Sequence, residues 1–80
     1  MVPKVIGVQA LQSYILLLEY ENGEKRYFDV KPYCNSSFFS EILDWNYFVR
    51  VRLRNGTVEW PHEQDIAPET LYLESTPGNH

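Results

Sequence analysis

Residues 14–33 constrain the fold most strongly, because two β-rich apolar runs flank the dipeptide Asn22-Gly23. Asn-Gly is the pair that best tolerates two successive residues with positive φ, as a type I′ hairpin turn requires. Such a turn predicts that Leu17 lies opposite Phe28. One face of this first hairpin would then carry a set of large apolar side chains: Ile15, Leu17, Phe28 and Val30.

Residues 47–60 predict a second hairpin. Valine and leucine alternate with Arg50, Arg52 and Arg54 up to the dipeptide Asn55-Gly56, which is a second type I′ signal. In that register Arg52 faces Glu59, so opposite charges pair across the strands. Two hairpins of this kind predict an antiparallel sheet.

The remaining segments complete an α+β fold. Residues 4–10 are rich in β-branched side chains and predict a first strand with a bulge at Gly7. Within residues 35–45 an apolar stripe spaced three and four apart predicts one amphipathic helix between strands three and four, formed by Phe38, Phe39, Ile42 and Leu43. Asn35 or Ser36 can cap its N-terminus. Pro68 suits the first position of a short helical turn within 65–73. We therefore expect about five short antiparallel strands in a single domain of residues 1–73, followed by a flexible tail of residues 74–80.

Composition and charge exclude several classes of protein. A chain of 80 residues forms one domain, and its 44% apolar content is ample for a core. A net charge of −4 disfavours general nucleic-acid binding, which needs a basic surface. The single cysteine fits a reducing compartment, and neither a signal peptide nor a membrane span is evident. We expect a cytoplasmic protein with no membrane association and no cofactor.

The arginine strand is one candidate contact surface. Arg50, Arg52 and Arg54 share a face of the predicted strand and have the chemistry to grip phosphates or an acidic partner. The alternative is a solvated outer face on which Arg52 pairs with Glu59. The acidic total favours the alternative.

The loop after the second hairpin is another candidate site, carried by Trp60, His62 and Asp65. Together with Glu59 and Glu63 these side chains include metal-binding types, but their spacing matches no ligand pattern, and structural zinc sites use more Cys or His. His62 also lies beside carboxylates without a Ser or Cys nucleophile in a recognisable motif. We therefore predict neither a metal site nor a catalytic site.

Tyrosines of the first hairpin suggest an interface. In the predicted register Tyr14, Tyr20 and Tyr27 fall on the face opposite Leu17, so both hairpin faces carry large apolar groups. That second face either binds a protein, since tyrosine is enriched at interfaces, or is covered by the C-terminal segment.

Cys34, just before the predicted helix, is either a reactive thiol near a helix N-terminus or a small, half-buried residue.

The chain resembles a family of small bacterial and archaeal domains, domain of unknown function 2442. The resemblance runs from Pro3 to Tyr72 and depends on short motifs in a fixed order: P-K-V at the start, N-G-E after Tyr20, F-D-V-K-P-Y from Phe28, R-N-G-T-V-E-W-P from Arg54, and D-I-A-P-E-T-L-Y from Asp65. Family members commonly continue W-P with Asn-Gly, whereas here His62 and Glu63 follow.

The resemblance implies a compact α+β domain without an established activity. Members often look like companions of another small protein, in arrangements that suggest toxin–antitoxin modules. Others carry a helix-turn-helix, and the matching motifs here imply no DNA binding by that route. We expect a protein partner or a homo-oligomer, so the leading hypothesis is a non-catalytic protein-interaction domain, antitoxin-like in its narrower form. The alternative is a nucleic-acid-associated regulator that uses the arginine strand.

Overall fold

The computed structural model describes residues 1–78 and has an α+β architecture. Its strands and α-helices follow in chain order: β1 (Val5–Leu11), β2 (Ile15–Tyr20), β3 (Lys25–Asp29), α1 (Ser37–Ser40), α2 (Trp45–Phe48), β4 (Arg52–Arg54), β5 (Thr57–Glu59), α3 (Pro68–Leu73) and β6 (Thr76–Pro77). Four strands form an antiparallel sheet in the order β1-β2-β3-β6, and β4 pairs with β5. In this part of the chain no helix combines the length and apolarity that crossing a membrane requires.

The first hairpin is present, but its predicted register is wrong by one residue. Leu16, and not Leu17, pairs with Phe28. The Gly23 N–H donates to the Tyr20 carbonyl oxygen at 2.9 Å, and Gly23 has a φ of 90° while Asn22 stays in the ordinary negative range. The connection is therefore a three-residue loop that ends in a glycine bulge, and not the predicted two-residue type I′ turn.

Burial explains why this register is preferred. It places five large side chains on one buried face of the hairpin: Leu16, Leu18, Tyr20, Phe28 and Val30. In the type I′ register, Phe28 and Val30 would face away from Leu16 and Leu18. Since burying one such side chain stabilises the fold by about 1.5–3 kcal/mol, dividing this set between two faces costs more than a change of turn type.

The second hairpin has the predicted register. Arg52 pairs with Glu59 and Leu53 with Val58, and the turn has a positive φ at both Asn55 and Gly56, as in type I′. The first strand also shows the predicted irregularity, between Val5 and Gly7.

The predicted single helix of residues 35–45 is wrong, because the segment is divided in two. Ser36 caps α1 by accepting a hydrogen bond from the Phe39 N–H, a 3-10 turn covers Glu41–Leu43, and Asp44 is extended. The Asp44 carboxylate then caps α2 through the Asn46 N–H at 3.0 Å. A strong N-cap residue in mid-segment thus ends one helix and starts the next. Tyr47 and Phe48, which were predicted to lie in a strand, belong to α2.

Part of the predicted tail, residues 74–80, pairs with the larger sheet. Thr76 pairs with Tyr27, so β6 joins the sheet beside β3. Arg26 holds the preceding residue, donating to the Ser75 hydroxyl at 2.5 Å and to the Ser75 carbonyl oxygen at 2.9 Å. The last part of the predicted tail, Asn79 and His80, lies outside the described residues.

Candidate functional site

The loop that carries the predicted site is a tight turn between Trp60 and Gln64. The Trp60 N–H donates to the Gln64 carbonyl oxygen and the Glu63 N–H to the Trp60 carbonyl oxygen, each at 2.9 Å. The same pair of hydrogen bonds closes the first hairpin, where Gly23 occupies the position of Glu63. Glu63 accordingly has a φ of 70°, a conformation that favours glycine.

A buried polar network holds this loop against the helices. The Gln64 side chain is fully buried. Its amide nitrogen donates to the Phe38 carbonyl oxygen and to Glu41 Oε1, both at 2.9 Å, and its amide oxygen accepts from the Tyr47 hydroxyl at 2.5 Å. The same hydroxyl accepts a hydrogen bond from the His62 N–H at 2.8 Å. This network was not predicted, because a buried glutamine leaves no periodic pattern in the sequence.

The three residues of the predicted loop site do not converge. Trp60 is fully buried and donates through Nε1 to the Phe48 carbonyl oxygen at 3.0 Å. His62 is exposed and places Nδ1 2.9 Å from Glu41 Oε1, and hydrogen bonds from His62 and Gln64 lower the pKa of Glu41. Asp65 is exposed and forms a β-bridge with Glu59. Within residues 1–78 no group of three or more His, Cys, Asp or Glu side chains is placed to hold a metal ion.

The arginines are divided between two settings. Arg52 and Arg54 lie on β4 and both donate to Glu59 Oε1, at 3.0 and 3.2 Å. Glu59 is buried. Its one carboxylate partly neutralises the guanidinium groups of both arginines. Arg50 was predicted to lie on the same strand face, but it follows α2 in a turn, where its N–H donates to the Tyr47 carbonyl oxygen.

The structure does not bring the three hairpin tyrosines to one exposed face. Tyr20 is 1% exposed in the core, and burial raises its pKa to about 12. Tyr14 packs edge-on against Phe48 with ring centroids 5.1 Å apart. Tyr27 is partly exposed on the other face of the sheet, where it pairs with Leu17. The shifted hairpin register accounts for this separation.

Four apolar side chains of the helical segment are exposed, and we call this set the helical apolar surface. Its members retain large exposed fractions: Phe38 51%, Leu43 40%, Trp45 42% and Val49 45%. Phe38 and Leu43 were predicted to lie on the buried stripe of a single helix. Of that stripe, Ile42 is fully buried and Phe39 packs partly buried against the core, whereas Phe38 and Leu43 are exposed.

Comparison with known proteins identifies the family. A family model described as "Protein of unknown function (DUF2442)" matches residues 5–77. The chain belongs to this family. The match extends from β1 into β6, which confirms the resemblance drawn from the short motifs. No curated protein and no solved structure gave a significant match.

Glu63 is where this DUF2442 domain departs from the Asn-Gly sequence that the resemblance led us to expect after Trp60-Pro61. The turn is nevertheless kept, with Glu63 in the left-handed region at a φ of 70°. A side chain with a Cβ pays about 1–2 kcal/mol for this conformation. The hydrogen bonds of Tyr47 and Gln64 across the loop offset that cost.

Cys34 of the DUF2442 domain is buried beside the first hairpin. Its thiol donates to the Val30 carbonyl oxygen at 3.3 Å, and burial raises the pKa of the thiol. Since the thiolate is the reactive form, this environment suppresses nucleophilic chemistry. Of the two alternatives left by the sequence, the structure supports a packing role.

Proposed function

We propose that this DUF2442 domain is a non-catalytic protein-interaction domain that acts in the cytoplasm through the helical apolar surface. The observation that carries the proposal is the exposure of Phe38, Leu43, Trp45 and Val49 within one twelve-residue segment. Grouped exposed apolar side chains of this kind are typical of binding surfaces. Tryptophan is also among the residues most enriched at the energetic centres of protein interfaces.

The surface is held in place before any partner binds. The Tyr14 hydroxyl donates to the Leu43 carbonyl oxygen at 2.6 Å. The Trp45 ring lies 6.0 Å from the Tyr14 ring and 5.6 Å from the Phe48 ring, between centroids. A fixed aromatic side chain loses little conformational entropy on binding, which favours affinity.

The other candidate residues have contacts that support structural roles. Glu41 Oε1 lies 2.9 Å from His62 Nδ1 and accepts a hydrogen bond from Gln64 Nε2 at 2.9 Å, and Cys34 is buried. These contacts support the non-catalytic part of the proposal. Arg52 and Arg54 share Glu59, and the chain has a net charge of −4, so a nucleic-acid role has weaker support.

A narrower form of the proposal makes the domain the antitoxin-like member of a two-protein system. It draws on the resemblance, in which related domains accompany another small protein. The narrower form requires a single stoichiometric partner whose toxicity to cells is relieved by this chain. The broader form requires only a specific partner that contacts the helical apolar surface.

The test is affinity capture from the native cells with the tagged wild-type chain, a Trp45→Ser variant and a Leu73→Ser control. Leu73 is an exposed apolar residue on α3, outside the proposed surface. We expect a stoichiometric protein to bind wild type and Leu73→Ser but not Trp45→Ser. Its capture should resist nuclease and ~0.5 M salt, at which attraction between exposed charges is screened beyond ~4–5 Å. Equal capture by all three chains, or capture that nuclease abolishes, would refute the proposal.

A further inference from the structure

One edge of the larger sheet lacks the protection that the other strand edges have. The edge strand β6 has only two residues, of which one is Pro77, and the short strand β4 carries Arg52 and Arg54. Prolines, charges and short lengths are the usual means by which proteins block pairing at a strand edge. Strand β1 has seven residues, with neither a charge nor a proline among them, and its bulge is confined to its beginning, between Val5 and Gly7.

The backbone groups on this open edge can be assigned from the hydrogen-bond pattern. The Tyr20 N–H donates to the Glu24 carbonyl oxygen at 2.9 Å, so the polar groups of Tyr20 face the β3 side. Because this orientation alternates along an antiparallel strand, the polar groups of Leu17 face β1. Leu17 pairs with Gln9.

It follows that Gln9 directs its N–H and C=O toward β2, while its neighbours Val8 and Ala10 direct theirs to the open edge. At the beginning of this edge β4 and β5 approach β1, and the Val5 N–H donates to the Gly56 carbonyl oxygen at 3.2 Å. Beyond that point, β1 pairs with β2 alone within the described residues. The exposed side chain of Ile6 adds apolar surface beside the open edge.

We infer that a second copy of this chain pairs with β1 in antiparallel orientation, about a twofold axis that passes beside Gln9. In this register Val8 of each copy lies opposite Ala10 of the other, and the N–H and C=O groups of both residues find partners. The two Gln9 residues face each other as a pair without backbone hydrogen bonds. A register centred on Val8 would need the backbone groups of Ile6, which lies in the bulge beside the Val5–Gly56 hydrogen bond. One centred on Ala10 would need those of Gln12, which belongs to a 3-10 turn.

The composition of β1 suits a second copy better than a charged partner strand. Twofold pairing places each side chain near its own counterpart, so any charge near the axis would meet a like charge and oppose association. Between Val5 and Leu11 there is no charge to do so. Pairing uses both open edges, so the assembly closes as a dimer whose larger sheets form one continuous sheet.

Sedimentation velocity of the full chain, with three variants of the central residue, tests this inference. We expect wild type and a neutral Gln9→Thr control to sediment as dimers. Gln9→Lys and Gln9→Glu are each expected to shift toward monomer, because like charges meet at the axis. An equimolar mixture of those two variants should recover the dimer, since Lys then faces Glu.

Several outcomes would overturn the inference. One is a wild-type chain that remains monomeric at about 1 mM. At that concentration an association free energy of only ~4 kcal/mol would place half of the chains in dimers. Dimers unaffected by either charged variant, a mixture that stays monomeric, or open-ended oligomers would each do the same.

Ala10→Pro removes an outward N–H without breaking a hydrogen bond to β2, so it should also give a folded monomer. Trp45→Ser should leave the dimer intact, which separates this test from that of the proposed function.

Discussion

The Tyr14 hydroxyl donates a hydrogen bond of 2.6 Å to the carbonyl oxygen of Leu43. Tyr14 directly precedes β2, and Leu43 ends the 3-10 turn between the two short helices. This bond therefore fixes the helical segment to the sheet at the point where Asp44 interrupts the helix. The exposed side chains of Leu43 and Trp45 flank that point, so the position of the helical apolar surface depends on the bond.

Tyr14→Phe removes the hydroxyl and keeps the ring. We expect the free energy of unfolding to fall by about 1 kcal/mol, as for the loss of one hydrogen bond, measured by urea denaturation. The control is Tyr27→Phe, whose hydroxyl makes no hydrogen bond within residues 1–78 and whose loss should change stability by less than about 0.5 kcal/mol. Equal losses in the two variants would contradict the role assigned to Tyr14.

Glu63→Gly should stabilise the protein. Glu63 has a φ of 70° in the turn after Trp60, and glycine adopts this conformation without steric cost, although it also gains freedom in the unfolded chain. We expect a net gain of about 0.5–1 kcal/mol in the free energy of unfolding, measured by urea or thermal denaturation. Asn55→Gly, at a φ of 50°, is the control. Because asparagine already tolerates this region, its gain should be smaller.

How far the sequence predicts this fold is clearest from the two hairpins. Asn55-Gly56 forms the expected turn because its local preference agrees with the burial of Val58. Asn22-Gly23 carries the same local signal, yet the hairpin shifts by one residue because only then do Leu16 and Leu18 share a face with Phe28 and Val30. Turn preference is a local property, whereas the choice of buried face depends on the whole core.

The same limit applies to the candidate site. Ser36 was recognised as a cap, but Asp44 was not. Trp45 was therefore not recognised as the start of a second helix, nor Val49 as the exposed residue that follows it. The last strand was missed because its pairing depends on Arg26, which reaches Ser75 from 49 residues away in the chain. Short strands held by one side chain leave no periodic pattern in the sequence.

Stability should fall in acid partly through two carboxylates. Glu41 has a pKa lowered from 4.5 by hydrogen bonds from His62 and Gln64, and Glu24 has one lowered from 4.5 by hydrogen bonds from Tyr72 and Asn22. A folded-state pKa below the unfolded value stabilises the fold above pH ~4.5, and the contribution is lost as pH falls through the folded-state pKa. Comparing urea midpoints at neutral and acid pH measures this loss.

The double variant Glu24→Gln/Glu41→Gln should show a smaller loss of stability between neutral pH and the acid range than wild type. Glu69→Gln, which removes a carboxylate that makes no ion pair among the described residues, should behave as wild type. An acid dependence that is unchanged in the double variant would show that other groups are responsible.

Cys34 should be inert in the folded protein. The thiol is buried, bonded to the Val30 carbonyl oxygen, and has a raised pKa, so its thiolate is both scarce and inaccessible at neutral pH. We expect a thiol-specific colorimetric reagent to label Cys34 only as fast as the protein unfolds, and to label it completely in concentrated urea. Rapid labelling without denaturant would contradict the buried placement.

The central claim is that the helical apolar surface binds a protein, and titration calorimetry with the captured partner tests it most directly. Truncating an anchoring tryptophan at an interface typically costs at least ~2 kcal/mol. We therefore predict that Trp45→Ser weakens binding by roughly 30-fold or more, while Leu73→Ser binds as wild type. Equal affinities for wild type and Trp45→Ser would contradict the claim, because the partner would then contact another part of the domain.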